Sequence, residues 1–176
     1  HEIDLRLALL QPLPGDVLVR EPCLPRQKPD SATNSEVPYV VLNLGARLAE
    51  KQLGTEEYAA LAAAIPTSHS VVLSWGPNER AIADAVAARV DSARVAPPTD
   101  LRELQTVFQD AAAVVSCDTG PMHLSVALGV PTFGVFVATD PSRFGYDQSP
   151  HAVFDARNGP DGLVKAMCSW FEKERR

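Results

Sequence analysis

The chemically richest stretch of the chain is Asp118-Thr119-Gly120-Pro121-Met122-His123. It brings a carboxylate, a hydroxyl, a glycine and an imidazole together within one short segment. An apolar run ending in Val114-Val115-Ser116-Cys117 leads into it, and a helical pattern of Leu124, Ala127 and Leu128, closed by Gly129, leads out. Val130-Pro131 and a second apolar run, Thr132 to Val137, follow. The order is strand, tight turn, helix, strand. Gly120 suits the N-cap and Pro121 the first helical position, where a missing N–H costs nothing. The first amides of a helix have no intrahelical acceptor. Those of Met122 and His123 are therefore expected to point out of the helix start, where the dipole favours an anion. Gly120 has no side chain to block a phosphate, and His123 stands in the first turn beside it. This is a diphosphate site in outline. The same residue types are also ordinary at any helix start, and short glycine motifs match by chance. On spacing alone both readings stay open.

The rest of the chain supplies the elements that position this turn. Tyr39 to Leu44 is a continuous apolar run that fits a buried parallel strand. Thr55 offers an N-cap with Glu56 and Glu57 in the first turn, Tyr58, Leu61, Ala62 and Ile65 follow at helical spacing, and Pro66 stops the helix. Ser70 to Trp75 is a second strand, and Asn78 caps a helix with Ile82, Val86 and Val90 on one face. Ala93 to Ala96 is a third strand. Asp100 and Glu103 form a capping box before a buried stripe of Leu101, Leu104, Val107 and Phe108. Ala112 to Cys117 is the fourth strand, Thr132 to Val137 the fifth, and Ala152 to Phe154 a short sixth. Leu163, Val164, Met167, Trp170 and Phe171 define a terminal helix. This alternation predicts an α/β fold with a doubly wound, Rossmann-like parallel sheet. Ligands bind such sheets beyond the carboxyl ends of the strands, at the switch point. The loops holding Gly45, Gly76 and Gly120 each follow a strand, so all three are expected on that edge. Residues 1–38, rich in proline and polar residues, read as a linker or crossover segment with a candidate edge strand at Val17-Leu18-Val19. Residues 39–176 form the binding domain.

Composition narrows the function class. The 176 residues suit one domain, with ordinary hydrophobic (45%) and charged (22%) content. A net charge of −6 argues against a nucleic-acid partner. No apolar run approaches the roughly 20 residues of a membrane span. The acidic start His1-Glu2-Ile3-Asp4 is not a signal peptide. Cys23, Cys117 and Cys168 are odd in number and widely spaced, which suggests neither a disulfide framework nor a zinc site and fits a reducing cytoplasm. The chain contains no Asp-x-Asp metal clamp, so no metal cofactor is expected. His69 and His151 carry no motif and read as surface residues, and Trp75 reads as packing.

The segment Asp118 to Pro131 resembles the signature of the bacterial heptosyltransferase family, roughly D-[ST]-G-x-x-H-L-A-A-A-L-G-x-P. It departs only at small-residue positions. Three shorter matches stand in the right order around it. Gly45-Ala46-Arg47 with Lys51 is similar to the loop after the first strand of the family's donor domain. Gly76-Pro77-Asn78-Glu79 is similar to its G-x-x-E turn, and Thr139-Asp140-Pro141 to its late T-D-P loop. The resemblance runs from about Val40 to Pro141. It implies the C-terminal, donor-binding half of an inverting GT-B glycosyltransferase that takes an ADP-activated heptose. It also implies an N-terminal acceptor-binding domain as partner, carrying the catalytic base, and a lipid-linked glycan of the lipopolysaccharide core as acceptor. His1 to Leu10 resembles the crossover after that domain. The implied location is cytoplasmic, peripheral to the inner face of the inner membrane. The chain alone is then expected to be inactive.

The resemblance assigns residues to the donor. Lys51 reaches the phosphates, with Arg47 nearby. Both residue types are also common as solvated surface charges. Glu79 accepts from the ribose hydroxyls, a task that suits a carboxylate facing a vicinal diol. Its alternative is a first-turn Glu favoured by the helix dipole. Thr99 and Leu101 border the base, although Leu101 also reads as a routine core residue. Asp118 either binds sugar hydroxyls, braces the loop or caps the turn. Thr119, Gly120, Met122 and His123 surround the diphosphate. Two positions depart from the family pattern. The K-x-W-P box reads Lys51-Gln52-Leu53-Gly54, and the Gly of F-G-x-T-D-P is Val137. A Val cannot copy a Gly where φ is positive. These departures support an alternative, a non-catalytic nucleotide-binding module of the same fold. A nicotinamide-dependent oxidoreductase is disfavoured, because no G-x-G-x-x-G follows the first strand.

Overall fold

Strands β1 (Tyr39–Asn43), β2 (Ser70–Ser74), β3 (Ala93–Val95), β4 (Ala113–Cys117), β5 (Thr132–Phe136) and β6 (Ala152–Asp155) form one sheet. Their order is β3-β2-β1-β4-β5-β6, and every pair is parallel. This is a computed structural model, and it describes residues 24–25 and 37–174. The candidate edge strand at Val17-Leu18-Val19 lies outside the described residues.

The helices are α1 (Thr55–Ala64), α2 (Arg80–Ala87), α3 (Leu101–Gln109), α4 (Gly120–Ala127), α5 (Pro141–Phe144) and α6 (Leu163–Glu174). They cover both faces, which is why β1 is buried at every position. Val40 and Leu42 join one core with Tyr58 and Leu61 of α1, Val86 of α2, and Met167 and Trp170 of α6. Tyr39 and Val41 point the other way, into a core with Phe108 of α3 and Leu128 beyond α4. The two-residue alternation of a strand thus feeds two cores from one apolar run.

The order of strands reverses between β1 and β4. These two central strands both begin connections that run in opposite directions, and a crevice opens beyond their carboxyl ends. Register places Ser74, Asn43 and Ser116 in one row across β2, β1 and β4 at that end. The Ser74 hydroxyl donates to Asn43 Oδ1 at 3.0 Å, and Asn43 Nδ2 donates to Ser116 Oγ at 3.1 Å. Asn43 Nδ2 also reaches the Gly45 carbonyl at 3.3 Å. A buried amide therefore ties the three strand ends whose loops carry the candidate site.

Local caps differ from the sequence expectation. The α1 N-cap is Gly54, not Thr55, and the α2 N-cap is Glu79, not Asn78. The α4 N-cap is Thr119, which puts Gly120 first in the helix and Pro121 second. Each shift is one residue, because side-chain type fixes a helix start only loosely when no cap bond forms. The α3 box does form: Asp100 accepts from the Glu103 amide at 2.8 Å, and Glu103 accepts from the Asp100 amide at 2.7 Å. The 3₁₀ turn Ala49–Lys51 and α5 are too short to leave a periodic signal.

Two burial expectations are corrected. Leu101 is 73% exposed instead of joining the buried stripe of α3, because it is the first residue of the helix and borders the cleft. His151 is buried, 5% exposed, under the Tyr146 ring. The position of Val137 needs no glycine. Among the described residues no side-chain-bearing residue has positive φ, and Val137 packs on the larger core. Leu53 is likewise buried in that core.

Candidate functional site

A cleft of about 690 Å³ opens beyond the carboxyl ends of β1, β2 and β4. The loop after β1 supplies Arg47 and Lys51, the turn after β2 supplies Glu79, and the start of α3 supplies Thr99 and Leu101. The turn from β4 into α4 supplies Asp118, Thr119 and Gly120. A smaller cavity of about 180 Å³ is lined by Lys51, Asp118, Thr119 and Gly120, with His123 and Phe144 added. The two spaces therefore share one wall. Met122 lines neither, because its side chain is buried.

Asp118 is the most connected group of the site. It is 4% exposed as a residue. Lys51 Nζ donates to Asp118 Oδ2 at 2.8 Å and to the Asp118 carbonyl at 3.3 Å. The Thr139 hydroxyl donates to the same Oδ2. His123 Nε2 stands 3.4 Å from Asp118 Oδ1. Burial by itself raises a carboxyl pKa. Here the bonds from His123, Lys51 and Thr139, with the Lys51 charge, outweigh it and hold Asp118 well below the ordinary carboxylate range. Asp118 is thus a stably ionised brace and a poor proton acceptor.

Glu79 is the second buried carboxylate, at 5% exposure. No donor among the described residues bonds its side chain, although its amide donates to the Gly76 carbonyl at 3.2 Å. The carboxylate folds back over Gly76, where a Cβ would come within 2.7 Å of Glu79 Oε2. A side chain at position 76 would require the Glu79 carboxylate to swing aside. A buried charge without a protein partner is costly, and this one borders the cleft.

The amides at the α4 start are placed differently from the sequence expectation. Met122 N–H donates to the Thr119 carbonyl at 3.0 Å, and His123 N–H approaches the same oxygen at 3.4 Å. Moving the N-cap to Thr119 gives these amides an acceptor. Among the described residues, it is the amides of Thr119 and Gly120 that have none. A Cβ on Gly120 would meet no atom within 4 Å, and its φ is not positive. Neither packing nor backbone conformation of the chain demands a glycine there. Close approach by a ligand would.

Several neighbours escaped the sequence reading. Tyr146 OH lies 3.1 Å from His123 Nδ1, and Phe144 closes the smaller cavity. Both lie on a connection with no periodicity to flag them. Thr139 was marked only by its T-D-P motif. Trp75 donates from Nε1 to the Ala96 carbonyl at 2.8 Å and lies under Arg80, so its ring is held in place at the cleft wall. Cys117 is buried against Tyr58 OH at 3.6 Å, and burial pushes its thiol pKa up, away from thiolate chemistry. Among the described residues no three His, Cys, Asp or Glu side chains gather as a metal site.

Residues 14–160 match the family model of glycosyltransferase family 9 (heptosyltransferase). The chain belongs to this family. Lipopolysaccharide heptosyltransferase 1 of Pseudomonas aeruginosa is 38% identical over 104 residues, which is 57% of this chain and 29% of that protein. The Salmonella typhimurium protein of the same name is 39% identical over 80 residues, 45% of this chain and 25% of that one. The solved structure of Escherichia coli heptosyltransferase WaaC with ADP superposes with a TM-score of 0.69 at 28% identity, over 78% of this chain and 44% of that chain. The family 9 chain thus spans less than half the length of these relatives. Its α/β fold is that of one Rossmann-like half of a GT-B glycosyltransferase. Among its described residues no helix is long and apolar enough to cross a membrane.

Proposed function

We propose that this chain is the donor-binding part of an inverting glycosyltransferase and holds a nucleoside-diphosphate sugar, ADP-heptose in preference to others. The observation that carries the reading is the position of Lys51, Thr119 and Gly120, which border both cavities at once. A cation and two unpartnered amides suit a diphosphate, and they stand where a nucleotide-sized space meets a smaller one. The nucleoside then lies toward Glu79 and Leu101, with the ribose diol on the Glu79 carboxylate. The sugar lies toward Asp118, His123 and Phe144. Arg47 and Thr99 complete the nucleoside side. The adenine and heptose preferences rest on the relatives, including a WaaC structure with ADP-2-deoxy-2-fluoro heptose.

In inverting transfer the acceptor oxygen bonds to the anomeric carbon as the carbon–oxygen bond to the diphosphate breaks. The acceptor proton goes to a base, and charge grows on the leaving diphosphate. Lys51 and the Thr119 and Gly120 amides are placed to stabilise that charge. Asp118, already saturated with donors, is the wrong group for the base. The base and the lipid-linked glycan acceptor belong to an N-terminal partner domain, so this chain alone turns over no substrate. No metal is required.

The test is thermal melting of this chain with millimolar ADP, UDP and GDP. Nucleotide at about 100 times its Kd adds roughly 2.7 kcal/mol of stability, a rise of roughly 5–11 °C for a domain of this size. Chelator should leave the rise intact. Gly120→Val should melt normally without ligand, since its side chain enters open space, and show no rise with ADP. Melting curves unmoved by all three nucleotides defeat the donor-binding reading.

A further inference from the structure

His123 is held between two partners of opposite demand. On one side Nε2 faces Asp118 Oδ1 at 3.4 Å. On the other, Nδ1 lies 3.1 Å from Tyr146 OH, with the two rings edge to face at 5.7 Å. Asp118 is ionised and accepts only. In a neutral ring the nitrogen facing it must therefore carry the hydrogen. Nδ1 is then the acceptor, and Tyr146 must donate to it. Asp118 thus selects which imidazole nitrogen bears the proton, and the phenol's bond to the other nitrogen reinforces the choice.

The Nε2–H of His123 is directed but loosely held. Its separation from Asp118 exceeds the 2.7–3.2 Å of a good N–H···O bond. Lys51 and Thr139 already occupy the other carboxylate oxygen. The imidazole N–H is thus free to move to an oxygen of a ligand in the smaller cavity, which His123 lines. Tyr146 lies two residues beyond α5, and Thr139 lies two residues before it. Asp140 caps α5 by accepting from the Ser142 amide at 2.9 Å. One short connection therefore reaches Asp118 twice, directly through Thr139 and indirectly through Tyr146 and His123.

We propose that Tyr146 is a positioning residue: its hydroxyl, donating to Nδ1, reinforces the Nε2–H tautomer that Asp118 selects and so aims one hydrogen-bond donor at the diphosphate–sugar end of the site. This rests on the donor-binding reading for its consequence, but not for the tautomer. Tyr146→Phe removes the hydroxyl and keeps the ring against His123. The first measurement is nitrogen-15 NMR of the histidine rings without ligand, at a pH where the ring is neutral, with His123→Gln to assign the signals. Wild type is expected to show Nε2 protonated and Nδ1 bare, and Tyr146→Phe a larger share of the Nδ1–H tautomer. An unchanged ring in Tyr146→Phe overturns the proposal, whatever binds.

The second measurement is ADP affinity by calorimetry. Tyr146→Phe should weaken it roughly threefold to tenfold, about one hydrogen bond. The same change made in His123→Gln should weaken it no further. Equal losses in both backgrounds would mean that Tyr146 acts on the structure generally, and would overturn the proposal. If wild type binds no ADP, the donor-binding reading falls, and the ring measurement still decides the role of Tyr146.

Discussion

Glu79 and Asp118 are both carboxylates buried to within 5% on the wall of one cleft, and the protein treats them oppositely. Asp118 receives Lys51, Thr139 and His123. Glu79 receives no side chain or amide among the described residues. Burial cannot explain the difference, since it is the same for both. The difference lies in what each faces. Asp118 stands where three connections meet, after β1, β4 and β5, and its charge fastens them together. Glu79 stands over Gly76 and has only the cleft in front of it. A site of this kind needs both: one charge spent on holding loops in register, one left for a ligand to satisfy.

The comparison is broken most decisively by exchanging each acid for its amide. Glu79→Gln removes a charged acceptor from the ligand and nothing from the protein. ADP affinity should fall roughly tenfold to hundredfold, the 1.5–3 kcal/mol of hydrogen bonds to a charged group. Stability without ligand should be unchanged or slightly higher, because an unpartnered buried charge has gone. Calorimetry and melting on the same sample read both quantities. A clear loss of stability with unchanged affinity would show that Glu79 is structural and that the contrast with Asp118 is false.

Asp118→Asn should do the reverse. It strips the charge from a partly buried pair whose lysine is 23% exposed, so the cost is about 1–3 kcal/mol after allowing for solvent screening. The sign of its pH dependence follows from the direction of the shift. The folded pKa of Asp118 lies below its unfolded value. Its contribution is therefore complete above the ordinary carboxylate pKa of about 4 and is lost as pH falls from there through the lower folded value. Asp155, held at about 2 by bonds from Arg157, and Asp140, lowered by the Ser142 amide, titrate with the same sign. Urea unfolding at pH 7 and pH 3 should thus show the advantage of wild type over Asp118→Asn narrowing while both lose stability. A gap between the two proteins as wide at pH 3 as at pH 7 would remove Asp118 from its bracing role.

The architecture was legible because its causes are local and repeated. Short runs bounded by turns, most of them continuously apolar, marked all six strands, and alternation with helical stripes predicted their parallel, doubly wound order. The switch point followed from that order, and with it the shared edge of the Lys51, Glu79 and Gly120 loops. What the sequence could not show was who satisfies whom. Asp118 read equally well as a sugar ligand, a brace or a cap, because its partners Lys51 and Thr139 are 67 and 21 residues away. The free amides were placed at Met122 and His123, when a shift of one residue in the cap moved them to Thr119 and Gly120. Asn43 passed as one more strand residue in an apolar run. Its role appears only when register sets it between Ser74 and Ser116.

Leu101 sharpens the same contrast at the smallest scale. Helical spacing put it on a buried stripe, yet it is 73% exposed, and Leu48 across the cleft is 43% exposed. Both border the larger cavity. A leucine that covers no core gains nothing for the fold, just as Glu79 gains nothing from its burial. If the nucleobase lies between Leu48 and Leu101, binding removes part of that apolar surface from water. About 40 Å² at 25 cal/mol per Å² is about 1 kcal/mol, or roughly fivefold in affinity. Leu101→Ser should therefore weaken ADP binding by about that factor while leaving unfolding within about 0.5 kcal/mol of wild type. The loss should be the same for UDP if the contact is purely apolar, and larger for ADP if the wider purine covers more of the side chain. Unchanged affinity for both nucleotides would place the base elsewhere and leave the exposure of Leu101 without a ligand to explain it.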